Sequence, residues 1–417
     1  MKNLDIAEPI DRLISIQAAT ARAYKLIEDL GLHYKARGRQ IGTYYRADCE
    51  IYREDCQVAI AKGSGKGTRE TAIVGAVCEA LECLSLTEDY FSANRIILNS
   101  HSILDQTPVR FERLTDSILA DKNCPMSFRQ YNHATEDKAL LYPTIYSTPF
   151  YHRYARGEGD FYDYIKLMRY SSSTGVSIGA CLDEVLVHSI NECLERDAFG
   201  IFLLTTFLRG DQPIRAININ SLPLDIKCRV KALEVAIGSA IGIIDLTTPG
   251  IGIPVFCAIN LDDWSEGGFP TIKGFGCSPD KDYALERSVA ELAQFIAICQ
   301  DEPSTTKQYY DGFLRAEPIY INQCVRFNLG PILRTRGVDV EYDEIASLEA
   351  GRSVAEQAKF LTEYLSGKGF EVYFSENINF DDKFRVGHVL IPKLEQFYMN
   401  AFGGVVLPRK SWSEIHI

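Results

Sequence analysis

No two cysteines stand in a C-x-x-C spacing, and no H-E-x-x-H occurs anywhere in the chain. Those absences remove the common zinc and thioredoxin-like sites. No apolar run approaches the length of a membrane span, and no signal pattern precedes one. Positive charge is in deficit: Lys plus Arg total 44 against 56 Asp plus Glu, a net charge of -12. A broad, sequence-independent nucleic-acid footprint is excluded on that balance, but an acidic site that binds phosphates through a divalent metal is not. No low-complexity tract or long linker divides the chain. The seven histidines do not cluster, and the twelve cysteines are scattered from Cys49 to Cys324. They read as reduced, mostly buried thiols of a cytoplasmic protein. With 417 residues, 46% apolar and 24% charged, the chain has ample material for a large core.

The spacing predicts an amphipathic helix over residues 10–30, from Ile10, Leu13, Ile14, Ala21, Tyr24, Ile27 and Leu30, with Gly31 ending it. A polar stretch rich in Tyr and Arg runs to about residue 55. A Gly-rich turn, Gly63-Ser64-Gly65-Lys66-Gly67, leads into a helix from about Thr71 to Leu86. A second helix runs from about Leu182 to Thr205, after Ser173-Thr174-Gly175. Short β-branched runs at 214–219, 242–246 and 255–261 read as strands. Gly274-Phe275-Gly276 reads as a turn before a helix from about Asp282 to Ile298. A helix at 354–365 and a strand at 370–374 follow. Helices and strands mix without regular alternation, so the fold class is α+β.

One pattern recurs on three of these helices. Gly75, Glu79 and Glu82 lie on the first, His188, Glu192 and Glu195 on the second, and Arg287, Glu291 and Gln294 on the third. Positions i, i+4 and i+7 fall within about 60° of one another around a helix, so each triplet projects from one face. The same carboxylate spacing on a solvated helix means little, as at Glu341 and Glu344. Here the acids sit among apolar neighbours: Ala76, Val77, Ala80 and Leu81; Val187, Ile190, Leu194 and Phe199; Val289, Leu292, Ala293 and Phe295. Acids on partly buried helices need partners. Carboxylates brought together repel by up to about 4 kcal/mol per pair at 4 Å and an effective dielectric near 20, which divalent cations relieve. Carboxylates that hold Mg2+ on one side and leave the other to phosphate oxygens suit a nucleotide site. Arg196 and Arg287 could pair with phosphate. Gly65-Lys66-Gly67-Thr68 does not fit the G-x-x-x-x-G-K-[ST] loop, so the site would be a non-Walker one.

The segments from Gly65-Lys66-Gly67 to Glu82, from Ser173-Thr174-Gly175 to Arg196-Asp197-Ala198, and from Gly274-Phe275-Gly276 to Gln294 resemble the three ATP-binding motifs of the YcaO family. The resemblance covers residues 60–410, including Gly387-His388-Val389-Leu390-Ile391-Pro392. It implies a YcaO-like α+β fold, with mixed sheets and helices around the ATP site, a catalytic domain over 60–417 and a helical or extended N-terminal region over 1–59. It implies ATP and Mg2+, with Glu79, Glu82, Glu192, Glu195 and Glu291 holding the metal. Lys66, Ser177, Glu184, Arg196 and Arg287 would contact the nucleotide or order its pocket. The implied activity is ATP-dependent activation of backbone amides in a ribosomally made precursor peptide, as in an azoline-forming cyclodehydratase of microcin-like biosynthesis. Thioamide or amidine formation by the same chemistry, and a non-catalytic scaffold, remain open alternatives. An E1-like or recognition-element partner, a flavin dehydrogenase where azoles are made, and a homodimer are implied as well. Three positions depart from the family pattern: Gly75 stands for Ser, Cys83 for Arg and Ala180 for Asn. The end, Ser411 to Ile417, lacks the Pro-rich tail common in azoline-forming members. His188 reads as structural, and Trp412 as a better peptide contact than Trp264.

Overall fold

The computed structural model describes residues 11–409, apart from 88–89, 92–94, 110–111, 150, 152–158, 211, 262–271, 315–318 and 382. Trp264, Trp412 and the segment from Ser411 to Ile417 lie outside the described residues. The first helix, α1, is Ile16–Asp29, capped by the Ser15 hydroxyl. Strands β1 (Leu32–Ile41), β2 (Tyr44–Arg53) and β3 (Ala61–Gly67) form an antiparallel sheet. Helix α2 (Arg69–Ser85) follows, then β4 (Arg95–Asn99), α3 (Arg113–Leu119), β5 (Pro125–His133), β6 (Ala139–Pro143) and β7 (Val176–Gly179). The long helix α4 (Leu182–Leu203) is buried along most of its length and runs on into a π-helical turn to Arg209. Next come β8 (Ile214–Ile217), α5 (Leu224–Ile237), β9 (Ile241–Asp245), β10 (Val255–Asn260), β11 (Lys273–Cys277) and α6 (Lys281–Asp301). The chain then passes through α7 (Pro303–Asp311), α8 (Ile319–Val325), α9 (Leu329–Arg336), β12 (Gly337–Val340), α10 (Val354–Gly367), β13 (Tyr373–Phe380) and β14 (Phe384–Leu390).

The class is α+β. A second sheet has the order β11-β10-β9-β8-β12, with the β8–β12 pair parallel. A third has the order β4-β5-β13-β14-β7, with β6 on β5. Among the described residues, no helix is long and apolar enough to cross a membrane, and the twelve cysteines are unpaired thiols.

Two expected turns are strands. Gly63 to Gly67 belongs to β3, and Gly274-Phe275-Gly276 to β11. Their glycines serve packing. A Cβ on Gly65 would lie 1.9 Å from the Ala72 carbonyl of α2, and one on Gly276 would lie 2.0 Å from the Ala284 carbonyl of α6. Only a strand without side chains on that face lets the helix backbone come so close. The polar stretch before residue 55 is likewise the β1–β2 hairpin. It turns tightly between Ile41 and Tyr44, where Gly42 has φ of +57°. Pairing of β2 with β3 continues this sheet across residue 59.

Three strand–helix units, β3–α2, β7–α4 and β11–α6, position the site. Each helix packs on its own strand and also touches the strand of the next unit: α2 meets β7, α4 meets β11 and α6 meets β3. The units therefore close a ring, and the polar faces of the three helices turn toward its centre.

Candidate nucleotide site

A cavity of about 590 Å3 opens at the centre of that ring, within the range of small-molecule sites. Glu79 and Glu82 of α2, Glu184, Glu192, Glu195 and Arg196 of α4, Arg287 and Glu291 of α6, Lys66 of β3 and Ser177 of β7 all line it. All ten residues singled out from the sequence thus meet in one place, although they span more than two hundred positions of the chain.

The carboxylates are held individually. Glu79 accepts a 2.9 Å hydrogen bond from the Ser64 amide, and Glu192 a 3.1 Å bond from the Gly175 amide. Glu195 and Glu192 lie 3.4 and 3.8 Å from the Arg196 guanidinium. Lys66 is hydrogen-bonded to Glu291. Gln294 ties α6 to β3 through the Ser64 carbonyl, at 2.8 Å, and its hydroxyl, at 2.9 Å. Two candidates are occupied within the protein. The Ser177 hydroxyl lies 2.9 Å from the Val185 carbonyl and 2.7 Å from the Ser189 hydroxyl. Glu184 accepts from the amides of Ala180, at 2.8 Å, and Leu13, which orders the start of α4 and the incoming chain.

The electrostatics divide the acids. Burial pushes the Glu79 and Glu195 carboxyls up to about 7. Glu82 is raised well above the ordinary carboxyl range and Glu192 is raised, in both cases first by burial. Around Glu82, the charges of Glu192 and Glu79 add to the effect. Glu291 alone of the five is lowered, because Lys66, Arg196 and Arg287 outweigh its burial. Four acids that would shed their cost on meeting a cation, and a fifth already paired with an ammonium, are a donor set suited to divalent metal. Among the described residues, no three carboxylate, thiol or imidazole groups close on one point as a ready-made cage. Mg2+ takes few protein ligands and leaves the rest of its shell to water and phosphate.

Sequence reasoning missed one wall of the cavity. Arg12, Ile14 and Ile16 line it from before the first helix. Asp11 is 2% exposed and accepts from the Tyr283 hydroxyl at 3.1 Å, with His188 Nε2 at 3.3 Å. Arg12 lies 3.7 Å from Glu184. Helix α1 starts at Ile16, where the Ser15 hydroxyl caps it, and ahead of it Asp11 and Leu13 bond to α6 and α4. No local signal marks Asp11 or Arg12, since the partners that place them at the pocket, Tyr283 for Asp11 and Glu184 for Arg12, are far away in the sequence. His188 is held neutral, its pKa lowered to about 3 by burial and then by Arg12. Of the departures, Gly75 and Ala180 line the cavity, and Cys83 is half-buried against the core around α2.

A ring of strand–helix units that turns carboxylates and cations onto one cavity, without a phosphate-binding loop, defines a non-Walker nucleotide-site architecture. The sequence model of the YcaO family, described as a YcaO cyclodehydratase that is ATP- and Mg2+-binding, matches residues 64–395, and the chain belongs to that family. Solved structures agree in fold. YcaO from Methanopyrus kandleri, bound with AMPPCP and Mg2+, is 16% identical with a TM-score of 0.63, covering 96% of this chain and 96% of that one. A heterocyclase in complex with substrate and cofactor is 16% identical with a TM-score of 0.68, over 94% of this chain and 54% of that one. A chain of the Escherichia coli microcin synthetase McbBCD complex is 15% identical with a TM-score of 0.58, over 88% of each. No curated protein matches the chain significantly. ATP and Mg2+ are therefore the cofactors of the family's site.

Proposed function

We propose that this protein uses ATP and Mg2+ to activate backbone amides in a ribosomally made precursor peptide, converting Cys, Ser or Thr residues to thiazolines or oxazolines. The observation that carries the reading is the convergence of five glutamates with Lys66, Arg196 and Arg287 on one cavity. In this reading Glu79, Glu82, Glu192, Glu195 and Glu291 hold Mg2+, and Arg196 and Arg287 meet phosphate oxygens. Lys66 exchanges its contact with Glu291 for one with phosphate. Glu184 and Ser177 keep the α4 entrance in shape through bonds inside the protein. When bound, ATP supplies the phosphoryl group that turns an amide oxygen into a leaving group. The side chain of the peptide, giving up its thiol or hydroxyl proton, would attack the preceding carbonyl carbon; the resulting oxyanion would take the phosphoryl group with release of ADP, and phosphate would depart as the amide nitrogen loses its proton. Such a reaction depends mainly on positioning and charge neutralisation, which fixed carboxylates and guanidinium groups provide.

Residues 60–417 form the catalytic domain on this reading, with residues 11–59 adding a sheet and one wall of the site. An E1-like or recognition-element protein presents the precursor, and the chain acts as a homodimer. Similarity in fold to a chain of the microcin synthetase complex, a structure also solved with pro-MccB17 bound, supports a multiprotein setting. The test combines purified protein, partner, precursor peptide and Mg-ATP. ADP should appear, and the peptide should lose the mass of one water per ring. Exchange of oxygen for sulfur would instead assign thioamidation. An unchanged peptide with Mg-nucleotide still bound would assign a scaffold, a reading that the departures at Gly75, Cys83 and Ala180 favour.

A further inference from the structure

Behind the site, a buried hydrogen-bond chain ends on one peptide unit of the cavity wall. His388 is 0% exposed, and its Nε2 lies 3.0 Å from the Thr174 carbonyl oxygen. The amide on the other side of that same peptide unit, Gly175 N–H, donates to Glu192 at 3.1 Å. One rigid plane thus links the imidazole to a carboxylate of the site. The rest of the turn is fixed around it. Val389 N–H donates to the Gly175 carbonyl at 2.8 Å, and a Cβ on Gly175, whose φ is +83°, would lie 2.6 Å from the Val389 carbonyl.

The direction of the chain follows from what each group can do. A carbonyl only accepts, so Nε2 must carry the proton. Burial lowers the imidazole pKa to about 3, with Arg129 adding to the effect, so His388 is neutral and Nδ1 is an acceptor. Tyr131 Oη, 2.9 Å from Nδ1, therefore donates to it. Ser147 Oγ lies beside the phenol, 3.2 Å from Tyr131 Oη. Arg129 closes the series, with Nη1 donating to Ser147 Oγ at 3.3 Å. Arg129 is 1% exposed, and its other bonds go to Ser375 and Asn377.

We propose that His388 is a positioning residue for Glu192: through the Thr174–Gly175 peptide it fixes the amide that aims this carboxylate into the cavity, with Tyr131 setting its tautomer. The inference rests on the reading of Glu192 as a metal ligand. Partners one step behind a metal ligand commonly change affinity by about 10- to 100-fold when removed. Here the imidazole acts on Glu192 through a peptide, which places the effect near the lower end.

The test measures the Mg2+ concentration that half-saturates binding of a non-hydrolysable ATP analogue. In His388→Phe it should rise about tenfold while analogue binding at saturating Mg2+ is largely kept. His388→Gln, which can still donate to the Thr174 carbonyl, should restore most of the difference. An unchanged Mg2+ requirement in folded His388→Phe, or equal impairment in both variants, overturns the proposal. If His388→Phe does not fold, Tyr131→Phe decides: it frees the tautomer and should raise the Mg2+ requirement by a smaller factor, and no rise overturns the proposal. Nitrogen NMR of the wild-type imidazole should report the Nε2–H tautomer, and an Nδ1–H tautomer also refutes it. Wild-type protein that binds no Mg-nucleotide refutes the proposed function instead, and the NMR result then decides the arrangement alone.

Discussion

The β3–α2 and β11–α6 units are built alike and charged differently. In each, two glycines stand two residues apart on the strand, under the helix backbone. Gly63 would carry a Cβ 2.3 Å from the Ala76 carbonyl, and Gly274 one 2.1 Å from the Leu292 amide. The acids they deliver then diverge. On α2, burial and neighbouring acids raise Glu79 and Glu82. On α6, Glu291 is lowered because cations from β3, α4 and its own helix surround it. Shared packing brings both helices to the cavity, while the polar residues give them opposite roles. One helix presents carboxylates whose burial outweighs any nearby cation, and the other presents a carboxylate already paired with one.

The largest expected effect tests the shared part. Gly65→Ala and Gly276→Ala each set a methyl group against backbone at about 2 Å. Backbone cannot yield as a flexible side chain does, so each should cost about 3 kcal/mol. Denaturant unfolding measures this. A loss in only one of the two would mean that the units do not share their packing.

The charge difference is tested by Glu291→Gln against Glu79→Gln in metal-free protein. Glu291→Gln leaves the Lys66 ammonium without its carboxylate. It should cost roughly 1–2 kcal/mol, between the values for an exposed and a fully buried pair. Glu79→Gln removes a charge that neighbours disfavour, so the melting temperature should hold or rise. Both should weaken Mg-dependent nucleotide binding. Shifts of stability in the same direction would break the contrast.

Acidity should follow the same division. Glu79 and Glu195 ionise near 7 in the folded chain, against an ordinary value of 4.5. Between those values the folded protein keeps protons that the unfolded chain has lost. Their contribution to stability is therefore full below pH 4.5 and disappears as pH rises through 7. A metal must displace those protons, so Mg-nucleotide affinity should climb by up to about tenfold per pH unit for each proton released, levelling above pH 8. Calorimetry in buffers of different ionisation enthalpy counts the protons. Binding without proton release would mean that these acids do not meet the cation.

The parts of this site that could be read from sequence are those whose geometry is local. Glu192 and Glu195 are fixed relative to each other by one helix, so their spacing alone places them on one face. Glycine obscured β3 and β11, because a residue with low strand propensity reads as a turn until the helix lying against it is known. Asp11 and Arg12 carried no local sign, and His388 stood out only as part of the resembling segment from Gly387 to Pro392, with nothing to mark its partner. Asp11 meets Tyr283 across 272 residues, and His388 meets Thr174 across 214. Contacts of that separation follow from topology, which periodicity does not encode.

The smallest expected effect concerns the first position of each triplet, occupied by Gly75 on α2, His188 on α4 and Arg287 on α6. All three line the cavity. A Cβ on Gly75 would meet the Gly65 Cα at 3.5 Å, an ordinary contact. Gly75→Ser should therefore fold normally and gain about 0.5 kcal/mol from helix propensity. Its hydroxyl would enter the cavity beside the carboxylates of α2. One net hydrogen bond to phosphate, about 1 kcal/mol, would tighten nucleotide binding roughly fivefold. If affinity stays constant while stability rises, α2 serves the site through its acids alone. The lost hydroxyl would then have no bearing on nucleotide binding, and the asymmetry between α2 and α6 would lie wholly in their charges.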